Sequence, residues 1–106
     1  MANSETIDLR IRTTDAFVYV EVTGEIDVAV TPALRDRLHA VLERGPLVLD
    51  LSGVDFLDST GIGMLIGLLR RADRRGWSMT VVPPHGAARR ALDQCGVTEA
   101  LMGIRV

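Results

Sequence analysis

The 106-residue chain contains no lysine, and all twelve of its basic residues are arginine. That absence removes Schiff-base chemistry and the phosphate-gripping lysine of a P-loop in one step. Cysteine is nearly as scarce. The lone Cys95 cannot form a disulfide within the chain, and its apolar, helical neighbourhood predicts a buried, ordinary thiol suited to a reducing cytoplasm. No apolar run approaches the roughly 18 residues of a membrane span. The opening MANSETID has neither the basic nor the apolar segment of an export signal, so a soluble, cytoplasmic protein is expected. A net charge of -2 gives no general pull toward nucleic acid or an anionic membrane, and neither is expected as a partner. His39, His85 and Cys95 lack the spacing of metal ligands, so no metal site is expected.

What is present fits one α/β domain over residues 1–106, with 47% hydrophobic residues to build a single modest core. Ile7, Leu9 and Ile11 alternate with polar residues, and after Thr13-Thr14-Asp15 the alternation resumes at Val18, Val20 and Val22, predicting a hairpin. Gly24-Glu25-Ile26-Asp27 breaks that pattern. Thr31-Pro32 predicts a capped helix start, and Leu34, Leu38, Val41 and Leu42 give the helix one apolar stripe before Gly45-Pro46 ends it. A third strand is expected over Leu47–Leu51, a long helix from about Thr60 to Arg75 closed by Gly76, and a fourth strand over Trp77–Val82. A third helix from about Gly86 to Gln94 follows. Thr98 is expected to cap a last helical turn, and Ile104 to Val106 to form a short edge strand. Strands alternating with helices predict a mixed sheet with an N-terminal hairpin and helices mainly on one face. The strand-to-helix loop after Leu51 then falls at the carboxyl edge of the sheet, where open α/β sheets gather their functional groups.

That loop carries Asp58-Ser59-Thr60-Gly61. One hydroxyl suffices to cap a helix, and the other would stand where free amides and the helix dipole favour an added negative charge. Phosphorylation is the chemistry such a position suits. On the helix that follows, Ile62, Leu65, Leu68, Leu69 and Ala72 gather on one side, and Gly63, Gly67, Arg70 and Arg74 on the other. Each mid-helix glycine costs about 1 kcal/mol against alanine. Either a partner needs a flat approach there, or the glycines pack against the chain's own sheet or loop.

Other motifs lead nowhere. Gly61, Gly63 and Gly67 miss the dinucleotide spacing, and Ser59 lacks the Gly-x-Ser-x-Gly elbow of a hydrolase. Arg70, Arg71, Arg74 and Arg75 read as a solvated basic end that complements the helix dipole, with an acidic partner patch as the alternative. Asp50, Asp55 and Asp58 read as turn and cap residues.

Gly24-Glu25-Ile26-Asp27, then Leu47-Val48-Leu49-Asp50-Leu51 and Val54-Asp55-Phe56-Leu57-Asp58-Ser59-Thr60-Gly61-Ile62-Gly63, resemble the STAS-domain anti-sigma factor antagonists of bacteria. The resemblance implies the STAS fold and a non-catalytic switch. Ser59 would be phosphorylated by an anti-sigma factor with serine kinase activity, with Thr60 as its neighbour and Asp27 in support. Asp58, Gly61, Gly63 and Gly67 would complete the docking surface together with those three residues. Unphosphorylated protein would bind the anti-sigma factor and release a sigma factor, and a serine phosphatase would restore it. ATP and Mg²⁺ would belong to the kinase, leaving this chain without a cofactor. The Arg-rich helix end maps onto no family feature. The alternatives are a STAS scaffold or small-ligand or nucleotide-binding regulatory domain without a phospho-switch, and, further off, a hydrolase using Ser59.

Overall fold

The computed structural model describes residues 7–96. The expected Thr98 cap and Ile104–Val106 strand lie outside the described residues. In chain order the elements are β1 (Ile7–Thr13), β2 (Val18–Ile26), α1 (Thr31–Leu42), β3 (Leu47–Leu57), α2 (Ser59–Arg75), β4 (Met79–Val82) and α3 (Gly86–Gln94). The hairpin forms as the alternation predicts, with Ile11 opposite Val20 and Leu9 opposite Val22. Thr14 shapes its turn, its Oγ1 accepting from the amides of Ala16 and Phe17 at 3.2 and 3.0 Å.

The sheet order is β1-β2-β3-β4, with β1 antiparallel to β2 and the other pairs parallel. The two parallel crossovers advance in the same direction along the sheet. Right-handed connections of that kind place their helices on one face. The pairing confirms a common inward face: Val18 aligns with Leu47 and Leu47 with Met79, and one strand position further in, Val20 with Leu49 and Leu49 with Val81. These residues are buried in one cluster with Leu34, Leu38 and Leu42 of α1, Leu65 and Leu68 of α2, and Ala88 and Leu92 of α3. Stripes of period 3.6 on the helices thus meet a period-2 face on the strands.

Several details differ from the sequence expectation. β3 continues six residues past Leu51, to Leu57. Ser52 and Gly53 interrupt the apolar run, but the strand stays paired to β2 through two register shifts, one on each side of Thr23 and Gly24. Gly53 allows the close approach there, since a Cβ on it would lie 2.5 Å from Thr23 Cγ2. β4 begins at Met79 and not at Trp77. The amide of Trp77 is instead spent on closing α2, bonding the Ala72 carbonyl at 3.0 Å behind the left-handed Gly76. α2 starts at Ser59, one residue early. Finally, Cys95 is exposed at the end of α3, not buried. By period Cys95 shares the stripe of Ala88 and Leu92, but it is the C-cap, one residue past the end of α3, where the helical stripe no longer fixes which side chains are covered.

Candidate functional site

Two aspartates organise the carboxyl end of the central strand pair. Ile26 and Leu57 are aligned as the last partners of β2 and β3, so Asp27 and Asp58 leave the sheet side by side. The amide of Asp58 ties the two chains together at this point, bonding the Ile26 carbonyl at 3.2 Å. Each aspartate then leads into a helix.

Asp58 caps α2. Its extended backbone lets Oδ1 accept from the amides of Thr60 and Gly61 at 3.0 and 3.1 Å and from the Thr60 hydroxyl at 2.6 Å. The Thr60 hydroxyl bond foremost, with those amides, holds the Asp58 carboxyl below its ordinary range despite some desolvation. The sequence offered both a hydroxyl of the Ser59-Thr60 pair and the Asp58 carboxylate as caps, and the carboxylate takes the role. Asp27 instead shapes the turn that leads into α1, its Oδ1 accepting from the amides of Ala29 and Val30 at 3.0 and 3.2 Å, while the N-cap of α1, Val30, has no side-chain cap bond. Thr31, expected as the cap, lies inside the helix and donates its hydroxyl back to the Asp27 carbonyl at 2.7 Å.

The two hydroxyls of the Ser59-Thr60 pair therefore stand in different conditions. Thr60 is engaged by Asp58, and its oxygen lies 3.4 Å from that of Thr31. Ser59 is exposed in the first turn of α2. Its hydroxyl makes no hydrogen bond among the described residues, and neither His39 nor His85 reaches it. Gly61, expected on the docking surface, lies beneath it. A Cβ there would come within 2.6 Å of Leu57 and 2.7 Å of Ile26, so its absence is what lets α2 start against the strand ends.

α1 and α2 run side by side in the same direction. Thr31 and Thr60 meet near their starts, and near their ends Arg71 and Arg75 reach Glu43 at 2.9 and 2.6 Å. The basic end of α2 is thus partly a tie between helices, not wholly solvated. Between the helices lies an open groove of about 550 Å³. Gly63 and Gly67 line it with nothing within 4 Å of a Cβ on either, which removes self-packing as the reason for these glycines. Val28, 65% exposed, stands at its mouth beside Pro32, and Arg35, His39, Arg71 and Arg74 form its sides. Burial, then Arg71 and Arg35, push the His39 pKa down. Sequence reading missed Val28, Arg35 and His39 as groove residues. The signal was available in the spacing Thr31, Arg35, His39, which puts one side chain per turn on the α1 face toward α2.

Asp50 belongs to the opposite sheet face, where burial raises its pKa but hydrogen bonds from the Tyr19 hydroxyl and from Ser52 outweigh that and lower it. It is remote from Ser59 along β3 and takes no part in this edge. Among the described residues no group of histidine, cysteine or carboxylate side chains is arranged to hold a metal ion, and no helix is long and apolar enough to cross a membrane.

A four-stranded mixed sheet with two helix starts brought together beside an exposed serine defines a recognisable class. The STAS domain model matches residues 8–105, and the chain belongs to the STAS domain family. It is 32% identical over 74 residues to an anti-sigma-B factor antagonist of Bacillus subtilis, a match covering 69% of this chain and 68% of that one. An anti-sigma factor antagonist from Mycobacterium paratuberculosis has a similar solved structure, with TM-score 0.79 and 31% identity, over 91% of this chain and 83% of that one. The anti-sigma factor antagonist SpoIIAA in its unphosphorylated form shares the fold, with TM-score 0.71 and 16% identity, over 93% of this chain and all of that one.

Proposed function

We propose that this chain is an anti-sigma factor antagonist that docks onto an anti-sigma factor with serine kinase activity and is switched off by phosphorylation of Ser59. The observation that carries the proposal is the contrast between neighbours: Thr60 is tied to Asp58, whereas Ser59 is exposed with an uncommitted hydroxyl. The names of the relatives supply the partner class. Ser59 Oγ takes the phosphoryl group from ATP held by the partner, and a serine phosphatase returns the hydroxyl. Asp27, Asp58, Ser59, Thr60, Gly63 and Gly67 form the docking edge, with Gly61 supporting it from below. A phosphate adds about -1.5 to -2 charge beside Asp27 and Asp58. The start of α2 tolerates that charge, but a partner packed against the edge does not. The chain acts throughout by binding and carries no cofactor.

Capture from native lysate with wild type, Ser59→Ala and Ser59→Asp, followed by mass spectrometry, tests this. Wild type and Ser59→Ala retain an ATP-binding anti-sigma factor and Ser59→Asp releases it. Identical capture by all three, or by none, overturns the switch, and a STAS scaffold or ligand-binding domain takes its place.

A further inference from the structure

The groove between α1 and α2 has two properties that the phospho-switch does not require. Its lining is partly apolar: Val28, Pro32 and Met64 join Gly63 and Gly67, which lie one helical turn apart with nothing within 4 Å of a Cβ on either. Its lining includes Arg35, Arg71 and Arg74 and no carboxylate, although Arg71 is held by Glu43 at 2.9 Å and Arg35 lies 3.9 Å from the exposed Asp36. In a chain of net charge -2 this is a local concentration of positive charge, not a bulk property. The groove follows α2 from Thr60 to Arg74, about 21 Å at about 1.5 Å per residue, or close to four turns of a partner helix. It also begins one residue from Ser59, so it is continuous with the docking edge.

We propose that this groove receives an amphipathic α-helix of the anti-sigma factor, with its apolar stripe against Gly63 and Gly67 and its flanking carboxylates on Arg35 and Arg74. The inference rests on the antagonist function proposed above and specifies the partner surface that function uses. Glycines at 63 and 67 allow close backbone approach, and helix-in-groove docking places its anchors at the same one-turn spacing. The arginines steer the acidic helix inward and fix its register. Phosphorylated Ser59 then acts in a second way, placing negative charge at the groove end nearer Arg35, while a carboxylate on Arg74, about 22 Å along α2, lies beyond the screening length of about 8–10 Å.

The test uses the anti-sigma factor retained by the unphosphorylated chain, purified, and calorimetric titration at low and high salt. Arg35→Glu and Arg74→Glu each weaken binding by about tenfold or more and flatten its salt dependence. Arg90→Glu, on the exposed side of α3, binds like wild type. Reversing a carboxylate in the partner helix cross-linked to the groove restores binding to Arg35→Glu. Circular dichroism shows all variants folded, since each site is at the surface. If both groove variants bind like wild type while Ser59→Asp does not, the groove proposal is overturned and the switch stands. If Ser59→Asp binds like wild type but the groove variants do not, the switch fails and the groove stands. Loss of a self-associated species of this chain in the groove variants, seen by sedimentation, makes the occupant a second copy and overturns the proposal. Retention of no anti-sigma factor at all overturns both.

Discussion

At the scale of single residues the decisive one is Asp58, because it frees the serine by doing the capping itself. Its Oδ1 holds two amides and the Thr60 hydroxyl. Asp58→Ala should destabilise the fold by about 1 kcal/mol at neutral pH, measured by urea denaturation, whereas Asp58→Asn, which keeps an acceptor, should lose less. The pH dependence has a definite sign. A carboxyl whose folded pKa lies below its unfolded value, about 3.9, contributes its full stability above that value and loses it as pH falls through the folded pKa. The gap between wild type and Asp58→Ala should therefore hold constant from neutral pH down to about 5 and shrink below about 4. The sequence made a cap legible here but not its owner. Three adjacent residues, Asp58, Ser59 and Thr60, all have capping side chains, and only the backbone angles of Asp58 decide among them. Cys95 was misplaced for a different reason: it keeps the phase of Ala88 and Leu92 but falls one residue past the end of α3, and the stripe does not show where a helix stops.

At the scale of one element, α2 contains three glycines with opposite structural reasons. Gly63→Ala and Gly67→Ala should each stabilise the free protein by about 1 kcal/mol, because they fill open space on an exposed helix. Gly61→Ala should destabilise it by about 1–3 kcal/mol, since the new methyl meets Leu57 and Ile26, both buried. Thermal denaturation of the three variants reads both signs. Periodicity alone separated Gly63 and Gly67 onto the outward face, but it left open whether a neighbouring element covered them. β3 was legible only as far as its apolar run. Beyond Leu51 the strand is held by its pairing with β2, an interaction between segments roughly thirty residues apart that no local pattern carries.

At the scale of the whole molecule, two crossovers of the same hand bring the starts of α1 and α2 to one edge and the basic end of α2 to Glu43. The hairpin, the helix stripes and the family signature were all readable from residues close in sequence. The groove was not, because its two sides come from helices that meet only through the sheet. Ser59→Asp should leave the circular dichroism spectrum unchanged and the Tm within about 4 °C of wild type, since it alters an exposed first-turn residue at a helix end that favours negative charge. A melt lowered well beyond that would mean the substitution acts by unfolding. The bond from the Asp58 amide to the Ile26 carbonyl has one more consequence. It anchors Ser59 to the central strands through a single residue, so the position proposed for modification sits directly on the sheet edge. A phosphate placed at Ser59 by the proposed switch would therefore be kept as chemistry and not as shape. It would outlast the thermal fluctuations of the chain until its covalent bond is broken.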